Sequence, residues 1–410
     1  MFATISLYAI MESIHFTIKS SLFKGVYMNI LLYDMSSFIQ RDLIYYLTRE
    51  GHHCRNIRYK FKNTYEDPFF QKKFDCLLSE GQYDFVMSTN FYPIIAKLCH
   101  DNNIKYVSWI YDSPIDTSKL EYFQFETNYV FMFDRIEAES LSVRGGVHIY
   151  HLPLAINTNR LDSIRPSSLQ IKQFSSEISF LGSFYENPMN TIMQMQTDYV
   201  KGYLDAMIQT QLQLYGVNIL SHLATPELVD EMNKNCSPYT QTVLSNKSII
   251  NTLEKQISYI ERTVLCSLLS EQHQLKYYSS TDQSSLFPKA TWMGTAYYFK
   301  EMPYVFKCSK LNLNVTLKGI QSGIPLRALD ILGCGGALLS NYQLELAEYF
   351  ADGQDIILYE SIEDAIAKAD FYLSHPDLTK EIARNGYQIA KEHFSYPKQL
   401  NQLFKTAGLS

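Results

Sequence analysis

The chain has 410 residues, which suits two or three domains of about 100–200 residues each. Hydrophobic residues make up 46% and charged residues 19%, a balance that excludes disorder. A formal net charge of −6, with a pI near 6.0, argues against a general nucleic-acid binder.

Residues 1–27 are moderately hydrophobic but interrupted by Glu12, His15 and Lys19. The start lacks a basic region ahead of its apolar residues, so it does not read as a signal peptide. No apolar run in the chain reaches the ~18 residues needed to span a bilayer. The stretch reads as an extension, or as residues preceding a true start at Met28. The other reading is an amphipathic helix in peripheral contact with a membrane or a partner. Its two basic residues, Lys19 and Lys24, give that reading little support.

From residue 28 to 156 strands and helices alternate. Strands are predicted at Asn29–Tyr33, Cys54–Tyr59, Phe85–Ser88, Lys105–Ile110, Tyr129–Phe133 and His148–Leu152. Helices fall between them, for example over Ser37–Arg49, where Gly51 supplies a stop. This alternation predicts an α/β domain with a doubly wound parallel sheet. Ligands bind such sheets beyond the carboxyl ends of the strands. That rule points to Asp34–Ser36, Thr89–Phe91, Tyr111–Pro114 and Asp134–Arg135. There is no GxGxxG after the first strand and no GxxxxGK[ST], so neither a standard dinucleotide site nor a P-loop is expected. Asp112 is the strongest polar candidate of this half; equally, it reads as a turn aspartate before Pro114.

Residues 157–176 are polar, contain Pro166, and read as a linker. A second α/β unit is predicted over 177–394. It opens with the strand Ile178–Leu181, closed by Gly182 and Ser183. Glycine there lets a backbone or ligand approach closely. Residues 189–270 read as a helical insert, with helices over Thr191–Gln213, Thr225–Asn233 and Thr240–Leu269. Strands at Gln272–Ser280 and Ala290–Gly294 and a helix at Glu301–Ser309 follow.

The stretch 309–340 reads strand, polar loop, short helix, strand. Gly323 and Pro325 lead into a helix that ends near Leu332, with Gly333, Gly335 and Gly336 available to close it. A loop feeding a helix N-terminus is a ready anion site. Arg327 stands in the first turn, where a cation opposes the helix dipole unless an anion is bound. Asp330 follows at i+3, so a surface ion pair explains the same spacing. A further strand at Asp355–Tyr359 and helices at Ile362–Leu373 and Pro376–His393 complete the unit, and residues 395–410 form a last helix. The seven cysteines lack CxxC spacing, and there is no HExxH, so reduced thiols and no metal site or other cofactor are expected.

Several segments resemble the CgeB-like (spore-maturation-type) glycosyltransferases: Trp109–Pro114 (WIYDSP), Phe180–Tyr185 (FLGSFY), Tyr298–Lys310 (YFKEMPYVFKCSK) and the run SGIPLRALDILGCGG. The likeness covers roughly residues 28–400 and extends in the C-terminal domain to the family-4 (group-1) enzymes. It implies a GT-B fold, with two Rossmann-like domains facing a cleft. It implies a bacterial, cytoplasmic hexosyltransferase-type enzyme (EC 2.4) acting on a nucleotide-sugar donor, without a metal, in cell-envelope, spore-surface or protein glycosylation. It places the donor in the second domain, against Gly182, Ser183, Lys310, Ser322, Gly323, Arg327 and Asp330. Arg327 would meet the diphosphate and Asp330 the ribose. Family-4 relatives carry a glutamate pair spaced E-x7-E here, and the first position falls at Gln321 or Ser322. An inverting mechanism would take its base from the first domain, with Asp112 and Asp134 as candidates. The alternative is a GT-B protein that binds a nucleotide-sugar or a partner without turnover. The resemblance also implies that the last helix crosses back to the first domain.

Overall fold

The computed structural model describes residues 27–409, apart from 36–37 and 186–187. The expectations for residues 1–26 and for Ser36 lie outside the described residues. Two parallel six-stranded sheets organise the chain. The first contains β1 (Asn29–Asp34), β2 (His53–Arg58), β3 (Phe85–Thr89), β4 (Lys105–Ile110), β5 (Asn128–Met132) and β6 (Ile149–His151), in the order β2-β1-β3-β4-β5-β6. The second contains β7 (Ser176–Leu181), β8 (Leu275–Tyr278), β9 (Thr291–Trp292), β10 (Ser309–Asn314), β11 (Leu338–Asn341) and β12 (Ile357–Tyr359), in the order β12-β11-β10-β7-β8-β9. The central strands are apolar on both faces because helices cover both sides: Ile30, Leu31, Leu32 and Tyr33 of β1 are all buried. Strand order reverses at β1 in the first sheet and at β7 in the second.

The predicted linker is not irregular. It folds into the helices Thr158–Ser163 and Ser168–Phe174, the second held by a capping box between Ser167 and Gln170. Short helices of this kind lack the long apolar period that marks a helix in sequence. The insert is helical, as expected, but is divided differently. Its first predicted helix breaks at Thr197, which caps a new helix over Asp198–Leu212. Its last is the 27-residue helix Asn246–Gln272, capped by Ser245. The insert has a core of its own, in which Val200, Leu204 and Met207 meet Leu253 and Ile257.

The two domains share one apolar core. Trp109, Phe131 and Phe133 beneath the first sheet are continuous with Ile324, Ala328, Leu329 and Leu332 of the second domain. The helix Tyr396–Thr406 packs on the first domain. Tyr396 stacks on Tyr46 at 5.0 Å, Phe404 meets Phe85 at 6.0 Å, and Lys105 Nζ donates to the Ala407 carbonyl at 2.6 Å. Ile156 N donates to Phe394 O at 2.8 Å where the two chain crossings meet.

Candidate active site

The site is built where the carboxyl ends of β7, β10 and β11 face the first domain. At the end of β7, Gly182 N donates to Tyr278 O at 3.1 Å, and Ser183 offers its carbonyl to the Arg262 guanidinium. Arg262 also donates to Val315 O beyond β10 and lies 4.6 Å from the Tyr185 ring. Beside it, Lys318 and Glu261 form a buried ion pair at 3.2 Å, and Tyr359 donates to the same carboxylate. The crossover helix thus carries two charged side chains into the point where strand order reverses, the usual ligand crevice of an open α/β sheet. Sequence reading missed both, because their partners are distant in the chain.

The Leu326–Gly333 helix starts at Pro325, which occupies the N-cap and supplies no side-chain cap. Its first N–H groups therefore keep their anion-binding capacity. It ends in a Schellman turn: Gly335, at φ +74°, donates to Leu332 O, and Gly336 donates to Ile331 O. Arg327 does pair with Asp330, at 3.4 Å, but not on a surface helix: Asp330 is 2% exposed. Tyr298 donates to Asp330 at 2.8 Å. Burial pushes the Asp330 carboxyl up to about 6, against the pull of the Arg327 guanidinium and the Tyr298 hydroxyl. Arg160, 5.3 Å from the Tyr298 ring, holds Asp42 of the first domain in a 2.8 Å ion pair.

The loop ahead of this helix is clasped by the first domain. Asp134, 1% exposed, accepts from the N–H groups of Gln321, Ser322 and Glu137. The Ser322 hydroxyl lies 3.0 Å from Asp134 Oδ1 and 2.8 Å from Glu345 Oε1, and it accepts from Ile136 N. Glu345 Oε2 is 2.8 Å from His151 Nε2. Arg135 closes the edge with a bidentate pair to Glu348. Gly323 fits because a Cβ there would stand 2.8 Å from the Phe133 carbonyl oxygen. The carboxylate expected at Gln321 or Ser322 is absent from the sequence, yet two carboxylates from other elements meet the Ser322 hydroxyl.

The structure places Gly182 and Ser183 at the carboxyl end of β7, and Ser322, Gly323, Arg327 and Asp330 on the loop and helix that follow β10. It separates Lys310 from them. Lys310 lies at the amino end of β10, 56% exposed, paired with Glu177 at 3.1 Å. That is the opposite end of the sheet from the cleft, so Lys310 is no part of this site. Asp134 is in the junction, but its oxygens are engaged in holding the loop. Asp112 is exposed at the end of β4, where it accepts from Asn90 Nδ2 at 2.6 Å.

The fold is similar to that of a glycosyltransferase from Rickettsia africae, with TM-score 0.56 and 11% identity over 94% of this chain and 100% of that one. Sucrose-phosphate synthase from Thermosynechococcus elongatus gives TM-score 0.55 and 12% identity over 92% and 98%. Anabaena HepE in complex with UDP-glucose gives 0.54 and 11% over 93% and 100%. The chain has the GT-B fold. At these identities the likeness is one of fold. Residues 261–405, spanning much of the second domain and most of the last helix, match a family model described as Glycosyl transferase-like. No curated protein matches the chain in sequence. No helix among the described residues is long and apolar enough to cross a membrane.

Proposed function

We propose that this GT-B protein is a glycosyltransferase of the CgeB-like type, transferring a hexosyl group from a nucleotide-sugar to an acceptor in the bacterial cytoplasm. The observation that carries the reading is the Leu326–Gly333 helix. It begins at the domain junction, inside the segment matching the Glycosyl transferase-like model, uncapped and with Arg327 in its first turn. A nucleoside diphosphate leaves with its charge, and helix N–H groups with a cation stabilise that charge without a metal. In this reading Arg327 turns from Asp330 to the diphosphate, and the Asp330 carboxylate is freed for the ribose. Gly182 and Ser183 border the phosphates, and Ser322 and Gly323 form the loop beneath them. Asp112, exposed at the end of β4, is the first-domain candidate to activate an acceptor hydroxyl, and Asp134 acts as a positioning residue. Cell-envelope, spore-surface or protein glycosylation is the setting that fits.

A second reading, binding without turnover, is favoured by Ser322 at a position where a carboxylate was expected. One screen separates the two. Full-length protein is tested against UDP-, GDP-, dTDP- and CMP-sugars for thermal shift and donor hydrolysis. Transferase function predicts both a shift and hydrolysis with at least one donor. A shift with no turnover, with or without acceptors, supports the second reading. No shift with any donor overturns both.

A further inference from the structure

Asn90 follows β3 directly, and Tyr111 and Asp112 follow the neighbouring strand β4. The Asn90 backbone lies in the left-handed region, at φ +65°. Asparagine tolerates that region better than most residues, but it stays there only when its surroundings fix it. Here they do. Asn90 N donates to Trp109 O at 2.8 Å, and Asn90 O accepts from the Ser88 hydroxyl at 2.6 Å. That hydroxyl lies in turn 2.6 Å from the hydroxyl of buried Tyr106.

The side chain then spans the two strand ends. Asn90 Oδ1 accepts from Tyr111 N at 2.8 Å and from Asp112 N at 3.1 Å. These two bonds satisfy the backbone of the turn. Asn90 Nδ2 donates to Asp112 Oδ2 at 2.6 Å. The fold does not need this third bond, because Asp112 is exposed and water satisfies an exposed carboxylate equally well. Its effect is to fix the direction of the carboxylate and leave Oδ1 for a further donor. The turn meets the second domain: a Cβ at Gly319, in the loop leading to the Leu326–Gly333 helix, would stand 2.8 Å from Pro114 Cδ.

We infer that Asn90 is a positioning residue that holds the Asp112 carboxylate in the orientation needed to take a proton from the acceptor. This rests on the proposed function, in which Asp112 activates the acceptor. In that step Asp112 takes the hydroxyl proton and the hydroxyl oxygen bonds the anomeric carbon of the sugar. The nucleoside diphosphate leaves with the electron pair of the broken bond. Asn90 touches none of the reacting atoms.

The test uses the full-length chain and whichever UDP-, GDP-, dTDP- or CMP-sugar it hydrolyses, with water as the acceptor. Asn90→Asp keeps an oxygen for the Tyr111 and Asp112 N–H groups but sets a second carboxylate against Asp112. Two carboxylates so placed share one proton. We expect kcat at pH 7 to fall about tenfold, donor KM to hold, and the acid limb of the pH–rate profile to move up by about one pH unit. A merely structural asparagine predicts no such movement, since the bonds to the turn survive. Tyr92, whose hydroxyl feels the Asp112 charge, Glu137, bonded to Ser113, and Lys247, bonded to the Ile115 carbonyl, are common to both proteins and cancel in the comparison. Asn90→Gly suits the left-handed backbone and serves if Asn90→Asp fails to fold; its kcat should fall about tenfold with donor KM unchanged. Asn90→Asp with the wild-type acid limb, or Asn90→Gly with the wild-type kcat, overturns the role of Asn90. Asp112→Asn tests the reading beneath it. Full hydrolysis by Asp112→Asn, or no hydrolysis of any donor by the wild type, overturns the base assigned to Asp112 and the role of Asn90 with it.

Discussion

Arg327 and Asp330 show how one spacing serves two roles. Their i,i+3 separation allowed an ion pair, and the pair forms, but burial beneath Tyr298 gives it a different energy. Asp330, raised to about 6, ionises in the fold only as pH passes that value, whereas the unfolded chain ionises near ~3.9. Its contribution to stability is full below the lower value and lost as pH rises through about 6. Asp330→Asn should therefore gain roughly 2–3 kcal/mol relative to wild type between pH 4 and pH 7.5. Urea unfolding at the two pH values checks this, and parallel losses in both proteins would contradict it. Arg327→Ala should abolish nucleotide-sugar binding while leaving circular dichroism unchanged. Unaltered donor affinity by calorimetry would remove the anion site from the proposed function.

At the scale of elements, the 316–325 loop and the last helix join the domains. Gly323→Ala would drive a methyl group to 2.8 Å from the Phe133 carbonyl oxygen and 2.9 Å from Asp134 Cα, both backbone atoms. The loop must then withdraw, loosening the N–H bonds to Asp134. We expect a loss of about 1–3 kcal/mol and a larger radius of gyration by X-ray scattering. Unchanged values of both would show that the clasp is soft. Phe404→Ala, which empties a buried site against Phe85 and His52, should cost about 3–5 kcal/mol in denaturant unfolding. A loss below 1 kcal/mol would mean that the helix contributes little to the first domain's stability.

Across the whole molecule, the halves meet through the shared apolar core, the Asp134–Ser322–Glu345–His151 clasp, the last helix, and the insert's contact with the 113–116 loop. They differ in kind. The core is insensitive to pH, the clasp is a satisfied polar network, and the insert meets the 113–116 loop through Lys247.

The alternation of apolar runs with helical periods was enough to determine two doubly wound domains, because each strand buried on both faces must read as a continuous apolar stretch. The helix after Pro325 and the glycine that closes it were equally local, since caps and turns depend on a few neighbouring residues. Lys310 shows the limit. Its charge is visible in sequence, but whether a lysine stands at the cleft end of a strand or the far end depends on where the strand begins. The partners of Arg262 and Glu345 were decided by tertiary structure alone. Burial, pairing and neighbouring charge all arise between residues far apart in the chain. Thus the sequence specified the sheets and the helix terminus, while the folded chain determined which charged groups surround it.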